Sequence, residues 1–277
     1  MMQLVCGKRT LDLTQTQIMG ILNVTPDSFS DGGRHQALDA ALMQARAMVA
    51  AGATLIDVGG ESTRPGAADV ALELELARTL PVIERIAAEL DVVISIDTSK
   101  AEVMRQAVAA GAGMINDVRA LQEPGALSAA ASGDAAICLM HMQGQPRTMQ
   151  HAPKYDDLFA EVNGFFQQRI DACAAVGIAP ERLVLDPGFG FGKTLEHNYQ
   201  LLARLDRLAD HQRPLLIGLS RKSMIGQLLE RGVEGRMVGS VTGALLAAQQ
   251  GAEIVRVHDV QATQDALTVW RQTEAFR

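Results

Sequence analysis

Aromatic residues are scarce in this chain: one Trp, two Tyr and seven Phe among 277 residues. That poverty fits tightly packed helices on a sheet better than a β-sandwich filled by bulky rings. Cysteine is scarce too. Cys6, Cys138 and Cys173 form no CxxC pair, and an odd number cannot close into a full disulfide set. Free thiols in a reducing compartment are expected instead. No apolar run approaches the roughly 20 residues of a membrane-spanning helix. The first thirteen residues carry Lys8, Arg9 and Asp12 and lack the apolar core of a secretion signal. The expected location is therefore cytoplasmic. Positive charge is in deficit, with a formal net charge of −7. Such a chain repels polyanions overall, so neither nucleic acid nor a membrane surface is an expected partner. A local basic pocket is compatible with that balance.

Hydrophobic residues make up 48% of the chain, enough for one large core. They fall into short β-branched runs separated by longer stretches of helical period. The runs are Ile18 to Val24, Thr54 to Gly59, Val92 to Thr98, Met114 to Val118, Ala135 to His141, Leu183 to Pro187, Pro214 to Ser220 and Ile254 to Asp259. Between the first two, Leu38, Leu42, Ala45, Met48 and Val49 recur at helical spacing. Thr98 and Ser99 are expected N-caps for a helix over Ala101 to Ala110. Pro81 predicts a kink or a break between Ala71 and Leu90. Leu4 to Leu13, with Gly7-Lys8 at its middle, reads as a small hairpin.

Gly52, Gly111, Gly177 and Gly251 each precede an apolar run that ends in a polar residue. Glycine ends helices cheaply, so this weak repeat marks helix-to-strand steps. Eight strand–helix steps make a single (β/α)8 TIM barrel over residues 1–277, with a short N-terminal β-hairpin, the leading α/β architecture. A doubly wound open sheet stays as the alternative, because local pattern does not reveal closure.

Active sites of such barrels lie at the C-terminal ends of the strands. The strand exits carry Asn23, Asp57, Asp97, Asn116 with Asp117, His141, Asp186, Ser220-Arg221-Lys222, and Arg256 with His258. A single Asp after a strand is usually a helix cap or turn residue, and Asp57, Asp117 and Asp259 are so assigned. Asp97, Asn116 and Asp186 instead suit a flat heterocycle with several N–H donors, since a carboxylate accepts two parallel hydrogen bonds. Lys222 donates to a ring carbonyl or nitrogen. Arg64, Arg256 and His258 suit phosphate or diphosphate.

Two connections are unusually irregular. Asn23 to Gly33 is rich in turn formers and carries an isolated Phe29, and Gly59 to Gly66 mixes hydroxyls with Arg64. Loops of this kind over a barrel mouth commonly act as lids. Gly192-Lys193-Thr194 looks like the end of a nucleotide phosphate loop, but the required first glycine is Pro187. The stretch Asp186 to Thr194 is thus a glycine-rich turn that brings Phe191 to the site. Gly218-Leu219-Ser220 lacks the second glycine of a nucleophile elbow, which argues against a catalytic serine. His197 and His211 are taken as solvent-facing.

Asn23 to Gly33, Asp57 to Gly66, Asp186 to Lys193 and Ser220 to Ser223 together closely resemble the dihydropteroate synthases. The resemblance runs from the first strand to His258, with the motifs in the family's order and no departure at their positions. It implies a transferase that joins 6-hydroxymethyl-7,8-dihydropterin diphosphate to 4-aminobenzoate and releases diphosphate. By resemblance, Asp97, Asn116, Asp186 and Lys222 would hold the pterin ring, the catalytic roles falling on Asp97, Asp186 and Lys222. Asn23 would bind magnesium (Mg2+), and Thr63, Arg256 and His258 would grip the diphosphate. Loops carrying Phe29 and Asp31, and Arg64 and Pro65, would close over the site. With Phe191, Lys222 and Ser223 they would frame the 4-aminobenzoate pocket, where sulfonamides would compete. The family's habit implies a homodimer through the last helices. Two other pterin-binding readings stand beside this one: a methyltransferase domain serving a corrinoid protein, and a binding paralogue without turnover. The first needs no diphosphate grip, and the second predicts damaged loops or loss of Lys222.

Overall fold

In this computed structural model, residues 2–24, 34–61, 69–144 and 153–276 are described. The chain opens with two four-residue strands, β1 (Gln3–Cys6) and β2 (Arg9–Asp12), paired antiparallel about a turn at Gly7. Alternation gives the hairpin one apolar face: Leu4, Cys6 and Leu11 are buried. That face packs with Met19, Leu55, Val93 and Met114 from the strands that follow. The hairpin thus plugs the N-terminal end of the larger sheet. The fit is close: a Cβ at Gly113 would lie 2.4 Å from the Cys6 carbonyl oxygen.

Eight parallel strands form that sheet: β3 (Gln17–Asn23), β4 (Leu55–Gly59), β5 (Val93–Asp97), β6 (Met114–Asp117), β7 (Ala136–Met140), β8 (Leu183–Asp186), β9 (Leu216–Ile217) and β10 (Ile254–Val257). Their spatial order is β8-β7-β6-β5-β4-β3-β10-β9. A parallel bridge between Leu185 and Leu215, with Leu185 N donating to the Pro214 carbonyl at 2.9 Å, joins the two ends. The sheet is therefore a closed (β/α)8 barrel, and the open-sheet alternative is set aside.

Helices α1 (Arg34–Ala50), α2 (Leu72–Glu89), α3 (Ala101–Ala110), α4 (Ala126–Ala131), α5 (Leu158–Ala175) and α6 (Leu195–Ala203) follow β3 to β8 in turn. Two helices, α7 (Ser223–Leu229) and α8 (Met237–Gln249), lie between β9 and β10, and α9 (Val260–Glu274) ends the fold. The repeated glycines Gly52, Gly111, Gly177 and Gly251 all have positive φ where a helix hands over to a strand, as the repeat predicts.

Three local expectations need correction. Of the kink or break expected at Pro81, the break is absent: α2 is one continuous helix with Pro81 inside it. Its buried Val82, Ile83 and Ile86 lie beyond the proline, and each contributes about 1.5–3 kcal/mol of burial. That packing offsets the hydrogen bond the ring removes. The N-cap of α3 is Lys100, with no side-chain cap. Thr98 and Ser99 are engaged by carboxylates instead: Thr98 Oγ1 donates to Glu75 and Ser99 Oγ to Asp117. β9 is only two residues long, because the chain leaves the ladder after Ile217 and turns at Arg221, whose φ is +57°.

Candidate active site

Strand register places the site residues in a row. Asn23 pairs with Gly59, Gly59 with Asp97, and Asp97 with Asn116 across β3 to β6. Side chains alternate along a strand, so Asp57 shares the face of Gly59, one step deeper. On the far side, Gly218 lies between β8 and β10: a Cβ there would be 3.8 Å from Arg256 and 3.9 Å from Asp186 Oδ2. A larger residue would fill the floor between those two groups.

The centre of this floor is an ionic cluster. Arg256 Nε donates to Asp57 Oδ2 at 2.6 Å and Nη2 donates to Asp97 Oδ2 at 2.9 Å. Asn116 Nδ2 donates to the same Asp57 oxygen at 3.0 Å. Asp57 is fully buried, and its Oδ1 has no hydrogen-bond partner among the described residues. The assignment of Asp57 as a cap or turn residue is thus corrected. It lies inside β4, where its carboxylate orients Arg256. Its position between Ile56 and Val58 in an apolar strand was the available signal.

Proton affinities follow from burial. Asp97 is pushed up to about 7, first by desolvation and then by the Asp57 carboxylate, with Arg256 opposing. Burial works against the charge on Arg256, but Asp57 and Asp97 outweigh it and raise its pKa. Asp186 is also raised by burial, opposed by Lys222 and by the Gly188 N–H, which donates to Asp186 Oδ1 at 2.7 Å. Burial lowers Lys222 to about 8 while Asp186 pulls the other way. The Lys222 ammonium donates to the Phe189 carbonyl at 2.7 Å and sits 4.7 Å from the centre of the Phe191 ring. The glycine-rich turn therefore sets the Phe191 ring beside Lys222.

Arg221 faces away from the mouth. Its guanidinium grips Asp259 bidentately at 2.6 and 3.0 Å, and its backbone N–H donates to Ser240 Oγ. Asp259 holds the N-cap position of α9, as expected, but its side chain pairs with Arg221 instead of capping the helix, and the locked turn aims Lys222 at the mouth. Ser220 Oγ accepts from the His258 backbone N–H at 3.2 Å and lies 3.0 Å from His258 Nδ1. The two contacts fix the orientation of the His258 ring beside Ser220. Asp117 is a turn carboxylate, as expected, accepting from Arg119 N and Leu121 N at 2.8 Å. His197 and His211 are half-buried rather than solvent-facing, since the first caps α6 against Thr194 and packs edge-on to Tyr155, and the second packs against Phe166.

Asp97, Asn116, Asp186, Lys222, Phe191, Arg256 and His258 all lie at the C-terminal mouth, with exposed Asn23 at the end of β3 and exposed Ser223 opening α7. Phe29, Asp31, Thr63, Arg64 and Pro65 lie outside the described residues. Lys193 was missed. It is buried inside the glycine-rich turn, and a lysine in so apolar and glycine-rich a stretch was the only cue. A carboxylate pair, an amide, an ammonium and a guanidinium around one floor can read the donor edge of a flat heterocycle and neutralise an anion beside it.

Residues 19–258 match the family described as pterin binding enzyme. The chain belongs to that family. It is 58% identical to the dihydropteroate synthase of Escherichia coli K12 over 272 residues, covering 98% of this chain and 96% of that one. A Yersinia pestis dihydropteroate synthase solved with a sulfonamide drug superposes with a TM-score of 0.94 at 58% identity, covering 99% of this chain and all of the other. The Xanthomonas albilineans dihydropteroate synthase solved with 4-aminobenzoic acid gives 0.92 at 54%, covering 99% and 98%. Likeness of this extent carries dihydropteroate synthase function, and with it enzymatic activity, to this member of the family.

Proposed function

We propose that the barrel mouth joins 6-hydroxymethyl-7,8-dihydropterin diphosphate to 4-aminobenzoate, giving 7,8-dihydropteroate and diphosphate, with residues 1–277 acting as one domain. The observation that carries this reading is the convergence of Asp97, Asn116, Asp186 and Lys222 on one floor beside Arg256 and His258. Asp186 and Asn116 accept from and donate to the pterin edge, Asp97 takes a second N–H, and Lys222 donates to the ring carbonyl. Arg256 and His258, with Thr63, would grip the diphosphate.

The C–O bond to diphosphate breaks with its electron pair on the leaving group, which leaves a cation delocalised over the dihydropterin. Asp186 and Asp97 stabilise that charge from fixed positions in a water-poor floor. The amine of 4-aminobenzoate then forms the new C–N bond and releases its proton to solvent. Phe191, Lys222 and Ser223, with Phe29, Asp31, Arg64 and Pro65 from the two loops, hold the aromatic acid close enough for this weak nucleophile. Sulfonamides compete for the same pocket.

Asn23 fits a magnesium ion: it offers a neutral, exposed amide oxygen, and the described residues contain no cluster of three His, Cys, Asp or Glu that would cage a metal. Magnesium takes oxygen ligands and keeps places for phosphate. Bound there, it would neutralise the diphosphate as a leaving group.

Apolar residues on α8 and α9, including Val238 at 71% and Val269 at 69% exposure, support a homodimer through these helices. Val269→Arg is expected to give a monomer by sedimentation, and an unchanged mass would remove that proposal. No helix among the described residues is long and apolar enough to cross a membrane. With three buried free thiols, this supports a cytoplasmic enzyme.

The test is diphosphate release from purified protein with both substrates and magnesium. Release that requires 4-aminobenzoate and yields dihydropteroate supports the reading. Tight pterin binding without product would point to a binding paralogue, and methyl transfer from a methylated folate to a corrinoid would point to the methyltransferase.

A further inference from the structure

Lys193 takes no part in the reaction as described, yet it is only 3% exposed. An ammonium has three donors and no acceptor, and the Lys193 nitrogen has three polar partners here. Its Nζ lies 2.9 Å from His141 Nδ1 and donates to the carbonyls of Gly188 and Phe191, each at 3.1 Å. The chain coils around this ammonium through left-handed Gly188, Gly190 and Gly192, with φ of 70°, 79° and 62°. The coil is also pressed against the exit of β7. A Cβ on Gly188 would lie 1.9 Å from the His141 carbonyl oxygen, and one on Gly192 would lie 2.4 Å from that of Gln143.

The other side of the same coil faces the mouth. Its Gly188 N–H holds Asp186, its Phe189 carbonyl holds the Lys222 ammonium, and its Phe191 ring lies beneath that ammonium. Lys193 therefore pins, from inside, Gly188 and Phe191, one before and one two residues after Phe189. Burying an ammonium costs far more than burying a methionine of similar length. A turn that only had to fill space would not need one. Burial also draws Lys193 down to about 7.

We infer that Lys193 is a positioning residue: it fixes the Gly188–Gly192 coil, and through it the places of Phe191 and Lys222 at the join between the pterin and 4-aminobenzoate subsites. The inference rests on the proposed reading of that site for its kinetic consequence, but not for its geometric one.

The test compares wild type, Lys193→Gln and Lys193→Met. Gln keeps two donors and Met none. Hydrogen exchange of the 188–193 peptide reads the geometry without substrate, and is expected to quicken about tenfold or more in the Met variant while the β3 to β6 peptides stay unchanged. With both substrates, KM for 4-aminobenzoate and Kd for the pterin diphosphate should rise about ten- to a hundredfold, in the order wild type, Gln, Met. A merely structural lysine would lower Tm and the active fraction but leave KM and Kd alone. Unchanged exchange in the 188–193 peptide of either variant, or unchanged KM and Kd beside an active wild type, would overturn the inference. An inactive wild type would count against the proposed function, and the exchange result would still judge Lys193. If the Met variant does not fold, the Gln variant carries the same comparison.

Discussion

Arg256→Met removes the guanidinium that is hydrogen-bonded to both Asp57 and Asp97 while keeping a long side chain in place. Asp57 is fully buried and would be left with Asn116 Nδ2 as its donor. Breaking a buried ion pair by removing one partner costs about 3–5 kcal/mol. The low end applies, because the Arg256 side chain is 18% exposed and Asp97, already raised to about 7, can neutralise itself by taking a proton. At about 2–4 °C per kcal/mol for a chain of this size, Tm should fall by about 6–12 °C. The pH dependence has a definite sign. Arg256 opposes the rise of the Asp97 pKa, so its loss lifts that value further above about 3.9, its unfolded value. A carboxyl raised in the folded state makes stability fall as pH climbs from the unfolded value through the folded one. The deficit of the variant should therefore be larger at pH 8 than at pH 5 in differential scanning calorimetry. Asp57→Asn in the same background should recover part of the loss. A drop under about 2 °C at pH 8, or a larger drop at pH 5, would refute the argument that the pair is coupled through buried charge.

The pH profile of kcat/KM should rise through about 7 as Asp97 ionises and fall above about 8 as Lys222 loses its proton, with apparent values belonging to the coupled cluster. Asp97→Asn should abolish the rising limb, and a rising limb that survives in this variant would assign it elsewhere. Gly188→Ala should cost about 2–5 kcal/mol, since it combines a left-handed φ with a collision against the His141 carbonyl. Gly177→Ala, also left-handed but with nothing within 4 Å of its Cβ, should cost only about 1–2 kcal/mol. Equal Tm losses in the two variants would show that the collision is relieved by local movement.

The strands and their exits were legible because the barrel repeats one local pattern eight times, with apolar runs long enough to show period. Asp97, Asn116 and Asp186 were legible as strand-exit residues because each is a polar residue at or next to the end of its apolar run. Asp57 was not, because its depth depends on which face of β4 points inward, and that is settled only when β10 brings Arg256 against it. Arg221 read as a mouth residue because sequence does not show the left-handed turn that directs it to Asp259. The Pro81 break failed for a similar reason, since the local penalty was visible and the packing that outweighs it was not. Lys193 was hidden by a false likeness to a phosphate loop, in which the lysine would reach out to a ligand rather than inward.

The barrel is closed at its last seam by a two-residue strand and a single bridge, from Leu185 to Leu215. Asp186 stands on one side of that seam, and Lys222 follows the strand on the other. A ring held between them is a staple across the thinnest junction of the wall. Ligand occupancy and circular integrity of the sheet are then thermodynamically linked, each favouring the other. Substrate would tighten this enzyme's architecture at that seam, so that the amide of Leu185, which donates across it to Pro214, reports binding from within the wall.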